Sequence, residues 1–242
     1  MKYSILKIST LILSTLAVGS YLRAAPPSVE DVGEAESFGH AALYMGAASG
    51  AVTLDDTCPA PSPSPNPNDQ CFVLAPAPAT TSFDAVDVCR IKLPKKATRT
   101  IIYPVLNFFT NYQLENSSGV FQPLAFFIFN ATITVESSAL LDPSIIDPST
   151  GLPAAGKFEN VFAYNFRDDR SMQVGDRQRR REILVRVGNG GINKKFFVDQ
   201  GVPQAAVDAM FNGPITLRMS ISGSAKFVTD ARITGNMRLF GD

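Results

Sequence analysis

The chain has 242 residues, 22 Lys plus Arg against 22 Asp plus Glu, and no tryptophan. A net charge of zero without a clustered basic excess excludes a typical nucleic-acid binder, which needs such a cluster to neutralise phosphates. A single histidine, His40, with no G-x-S-x-G or H-E-x-x-H motif, makes lipase-like, chymotrypsin-like and zinc-protease chemistry poor fits.

Residues 1–25 read as a secretory signal peptide of bacterial Sec type. Lys2 and Lys7 precede an apolar run from Ile8 to Val18, and small residues between Gly19 and Ala25 offer cleavage positions. That run is short of the roughly 20 residues a bilayer span needs, and no later stretch reaches that length without charges or prolines. The expectation is an exported protein in the periplasm, at the cell surface or outside the cell, with no membrane span. Removing Lys2, Lys7 and Arg23 leaves 19 basic and 22 acidic residues, an ordinary balance for a surface in water.

Residues 26–54 form an N-terminal segment whose end, Phe38 to Leu54, reads as a strand with Val52 and Leu54 on one side. Its start is acidic, with Glu30, Asp31, Glu34 and Glu36. Residues 55–97 are rich in Pro, Ala, Ser and Asp and predict an extended excursion that tethers the N-terminal strand. The three cysteines favour one disulfide in an oxidising compartment. Cys58 with Cys71 closes the shorter loop, worth about 3 kcal/mol on chain entropy; Cys71 with Cys89 stays open as an alternative. Acidic pairs such as Asp55-Asp56 lack the spacing of an EF-hand loop.

Residues 98–242 predict the body of an all-β antiparallel sandwich, jelly-roll-like, packed with residues 38–54 from the same chain or a neighbour. Ile215, Leu217, Met219 and Ile221 alternate with Thr216, Arg218, Ser220 and Ser222. Phe127, Phe129, Ala131, Ile133 and Val135 form the apolar side of another run. Short capping helices are expected near residues 194–212. Pro203 suits a first turn, Ala206 with Met210 and Val207 with Phe211 make apolar i, i+4 pairs, and Gly213 ends the run. The preceding GNGGINKK lacks the G-K-[ST] ending of a phosphate loop and reads as a strand-to-helix turn. Sequons stand at Asn116 and Asn130.

The densest charge lies between Asp168 and Glu182, where Arg177, Arg179, Arg180 and Arg181 make a candidate assembly or anion contact. The bland reading is a hairpin with a solvated charged tip. The pattern of a strand-rich body, an N-terminal strand on a tether and complementary charged clusters predicts a non-enzymatic exported component, structural, adhesive or self-assembling. Its expected partners are a second copy of itself or a surface polysaccharide; no cofactor, metal or catalytic residue is expected. The alternative is a carbohydrate-binding domain or a carboxylate-dependent glycoside hydrolase, with Tyr103, Tyr112, Tyr164 and Asp169 lining a concave face and a pair drawn from Glu136, Glu159, Asp168, Asp169, Asp199 and Asp208.

Overall fold

A computed structural model describes residues 43–58, 68–188 and 190–242. His40, the acidic cluster at 30–36 and the signal segment lie outside the described residues. The body is an antiparallel β-sandwich with two short helices. One sheet, here sheet A, joins β1 (Leu43–Asp55), β2 (Gln70–Val73), β4 (Ile101–Glu115), β9 (Arg177–Val187), β10 (Ile192–Asn193) and β12 (Val228–Gly241). Sheet B has the order β3 (Thr80–Leu93), β11 (Ile215–Lys226), β5 (Gln122–Glu136), β8 (Lys157–Met172). The short strands β6 (Ile146–Asp147) and β7 (Leu152–Pro153) make a small hairpin beside β8.

Alternation sorts each strand into an inner and an outer row. In sheet B, Val135, Ile133 and Ala131 face Leu217, Met219 and Ile221 across the strand boundary, and Phe129 and Phe127 face Gly223 and Ala225; all but Gly223 are buried. In sheet A, Leu106, Phe108, Tyr112 and Leu114 of β4, Ile233, Met237 and Leu239 of β12, and Val52 and Leu54 of β1 close the other wall. An aromatic cluster spans the sheets: Phe108 stacks on Tyr164 at 5.4 Å between ring centroids, and Tyr112 lies 4.6 Å from Phe127. At one end of the sandwich, helices α1 (Lys194–Asp199) and α2 (Gln204–Asn212) send Phe197, Val207, Met210 and Phe211 into the core. Asn193 caps α1 by accepting from the Phe196 N–H at 2.7 Å, so the glycine-rich run is a strand-to-helix turn.

One sequence expectation changes, and of the two arrangements open to the N-terminal strand the structure shows the first. The stretch expected as an excursion from 55 to 97 contains β3, which pairs along β11 and buries Phe83, Ala85, Val88, Cys89, Ile91 and Leu93. Prolines flank this strand without entering it, and the average composition of the stretch hides its alternation. The N-terminal strand, expected to dock in cis or from a neighbour, is built into its own sheet: β1 pairs antiparallel with β12 and parallel with β2. Cys58 and Cys71 form a disulfide with a Cα–Cα distance of 5.7 Å, which ties β2 to the segment leaving β1. Cys89 is the free thiol and is buried. No helix among the described residues is long and apolar enough to cross a membrane.

Candidate assembly face

The arginine cluster is not a hairpin tip. The turn between β8 and β9 is Gln173 to Asp176, closed by Asp176 N–H to Gln173 O at 3.1 Å, and all four arginines lie in β9 itself. Period two therefore splits them. Arg177, Arg179 and Arg181 share the outer face of sheet A with Ile183, Val185 and Val187; Arg180 turns inward.

The outer face is built by register. β4 and β9 pair without interruption, setting Glu115 opposite Arg177, Gln113 opposite Arg179, Asn111 opposite Arg181, Phe109 opposite Ile183 and Val105 opposite Val187. The result is a face that is basic at one end and apolar at the other. Ile183 is 72% exposed, Val185 59%, Phe109 53% and Val187 45%. At the basic end Arg179 donates to Asp230 at 2.9 Å and to Asn111 at 3.0 Å, and Arg177 stands 3.4 Å from Glu115. Arg181 has no ion-pair partner among the described residues. Arg238 of β12 adds a further cation to the same face, in register with Val105.

Arg180 belongs to a different setting, the seam between β8 and β9. Asp168, 9% exposed, accepts the Tyr112 hydroxyl at 2.7 Å and Arg170 Nε at 2.7 Å, with Arg180 Nε at 3.8 Å. Burial and the hydrogen bond to Asp168 push the Tyr112 hydroxyl well above its ordinary range, so it stays a protonated donor. This cluster is an anchored structural network, with its carboxylate accepting from Tyr112 and Arg170 and the Arg180 charge beside it.

Apart from the buried Tyr112–Asp168 contact, the residues of the hydrolase alternative do not converge. Tyr112 is in the core, Tyr164 packs on Phe108 between the sheets, Tyr103 lies in the outer row of β4, and Asp169 sits on the outer face of sheet B beside Arg167 at 2.5 Å. Glu136 is bridged to Arg218 at 3.1 Å, Glu159 to Lys157 at 2.5 Å, Asp199 to Lys195 at 2.7 Å and Asp208 to Lys194 at 3.1 Å. A shallow trough of about 410 Å³ on the outer face of sheet B follows one cross-strand row, Lys92, Thr216, Glu136 and Lys157. Glu136 is its single carboxylate, so the opposed acidic pair that glycoside hydrolysis requires is missing there. Burial pushes the Cys89 thiol up to about 12, which removes it as a nucleophile at neutral pH. No group of three or more His, Cys, Asp or Glu side chains converges among the described residues.

No family model and no curated protein matches the chain. Among solved structures, it is similar to the infectious bursal disease virus VP2 subviral particle at 13% identity and a TM-score of 0.18, covering 76% of this chain and 38% of that one. It is also similar to the structure of infectious bursal disease virus Gx strain, at 10% identity and a TM-score of 0.23, covering 83% of this chain and 55% of the other. The chain thus spans well under two thirds of either. Scores this low leave function to the chain's own geometry.

Sequence reasoning singled out the four arginines but missed the apolar half of the same strand. EILVRV reads as an ordinary buried-face strand, and only its place at the edge of sheet A exposes Ile183, Val185 and Val187 together. An alternation of apolar residues on both sides of Arg186 was the available signal.

Proposed function

We propose that the protein is an exported, non-enzymatic structural component that self-assembles through the β9 side of sheet A. The supporting observation is β9 itself. It is an edge strand of 11 residues, paired to β4 without a bulge, with three exposed apolar side chains in line beside exposed Phe109. Long regular edges with exposed apolar residues associate unless something covers them, because unpaired donors and acceptors template another chain. The Cys58–Cys71 disulfide fits an oxidising compartment and so supports export. A surface polysaccharide partner has no comparable support, and the assembly partner is the chain itself.

Light scattering of the protein recovered after export is the test. The expected result is a dimer or larger particle at micromolar concentration, reduced to monomer by Ile183→Lys with Val185→Lys while the far-ultraviolet circular dichroism is unchanged. A wild-type protein that stays monomeric to millimolar concentration overturns the reading.

A further inference from the structure

The free edge of β9 is selective, and its selectivity points to a partner segment within this chain. A second β9 is a poor partner. The outer row from Arg177 to Val187 holds three arginines, one isoleucine and two valines. Antiparallel pairing of β9 with itself sets arginine against arginine or against an aliphatic side chain, and β9 carries no acidic residue in that row to answer either. An extended segment that is acidic where β9 is basic, and apolar where β9 is apolar, satisfies both the main chain and the side chains.

Within the stretch from Glu30 to Phe38, EDVGEAESF, the alternate residues Val32, Glu34 and Glu36 have that pattern. Run antiparallel to β9 with Glu34 opposite Arg181, the outer row becomes Glu30 with Val185, Val32 with Ile183, Glu34 with Arg181, Glu36 with Arg179 and Phe38 over Arg177, so the match is made by Val32, Glu34 and Glu36. On the inner row, Gly33 and Ala35 fall opposite Glu182 and Arg180, where small residues leave the Asp168 seam undisturbed. Asp31 falls opposite Leu184 and diagonal to Arg186, within reach of the arginine's long side chain.

Geometry then decides which copy supplies the segment. Leu43 begins β1 opposite Gly241, level with Ile102, whereas Arg177 is level with Glu115. From Ile102 to Glu115 along β4 is about 43 Å. From Phe38 to Leu43 the chain reaches at most about 18 Å. In this register Phe38 cannot lie at Arg177 of its own molecule, so the donor is a second copy.

We propose that residues 30–38 of one copy add antiparallel to the β9 edge of another, with Glu34 on Arg181 and Glu36 on Arg179 fixing the register. This rests on the self-assembly reading and names its contact. Since every copy carries one donor segment and one acceptor edge, the contact either closes on itself as a pair or a ring or propagates as a polymer.

The test is a charge swap at the pair least tied to the fold, because Arg181 makes no ion pair among the described residues. Glu34→Arg alone and Arg181→Glu alone are expected to weaken association roughly tenfold or more, and the double variant to restore most of it. Mixing the two single variants is expected to restore association as an alternating assembly of 1:1 composition by light scattering, since each variant's donor segment is complementary to the other's acceptor edge while neither matches its own. An unchanged particle in both single variants, together with dissociation by Ile183→Lys, overturns strand addition and leaves self-assembly standing. Rescue in the double variant with no pairing in the mixture overturns the assignment to a second copy. A monomeric wild type overturns both.

Discussion

Asp242 shows how a single side chain locks one corner of sheet A. Its carboxylate accepts from the Thr98 hydroxyl at 2.6 Å, the Thr100 hydroxyl at 2.5 Å and the Thr100 N–H at 3.0 Å. Burial works to raise its pKa, but these donors outweigh it and hold the group well below the usual carboxylate range. A depressed folded value stabilises the native state fully above the unfolded value of about 3.9, and that stabilisation is lost as pH falls through the folded value. Asp242→Asn is expected to cost about 1–2 kcal/mol at pH 7 by urea unfolding, with the difference from wild type shrinking as pH is taken toward 3. Tyr112→Phe tests the other buried carboxylate. It removes one of the donors to Asp168 without changing the packed ring, so a loss of about 1 kcal/mol is expected by the same measurement. At Cys89 burial is the deciding term: iodoacetamide at pH 8 is expected to leave the native protein unmodified and to alkylate one thiol per chain in urea.

At the scale of elements, the close approach of β1 and β3 governs how the sheets meet. A Cβ on Gly50 would stand 2.0 Å from the Val88 carbonyl oxygen, a backbone atom that cannot rotate away. Val88 comes that near because β3 bulges between Ala85 and Cys89, with Asp87 at φ 63°. Gly50→Ala is therefore expected to destabilise by about 3 kcal/mol, read as a lower urea midpoint with an unchanged slope. The same bulge explains what the sequence concealed. Strands β5 and β11 keep their period along their length and were legible from it, as was α2 from its i, i+4 pairs. In β3 the alternation of Phe83 and Ala85 breaks at Val86 to Val88 before resuming at Cys89, and the neighbouring prolines pull the local composition toward a linker. The candidate face was half legible. Charge density marks Arg177 to Arg181 in any reading, but the exposure of Ile183, Val185 and Val187 depends on β9 having no neighbour beyond β4 among the described residues, a non-local fact of topology. Asn116 carries the same lesson. Its sequon is intact, yet its side chain is buried and donates to the carbonyls of Val120 at 2.8 Å and Gln173 at 3.0 Å, so a glycan there is incompatible with the fold.

Across the whole molecule, the four edges of sheets A and B among the described residues are treated unequally. β2 is four residues long and disulfide-tethered; β3 is bulged and carries Asp84, Asp87, Arg90 and Lys92; β8 is irregular where it pairs β5 and carries four charges from Arg167 to Arg170. These are the usual protections of an exposed edge. β9 has charges on one half and none on the outer row of the other, and its ladder is regular throughout. An edge protected against its own kind but open to an acidic strand makes association electrostatic in its specificity and apolar in its base level. The two contributions respond oppositely to salt. Screening shortens the reach of the Glu–Arg pairs from about 10 Å at 0.1 M to about 3 Å at 1 M, whereas burial of Val32 against Ile183 is insensitive to it or slightly strengthened. Association measured by light scattering is thus expected to weaken as salt rises from 0.1 M to 1 M without vanishing. The Arg181→Glu variant, already lacking the matched pair, is expected to show a flatter dependence. Particles that grow steadily with salt would place the contact on the apolar stripe alone and remove the charge register as its determinant.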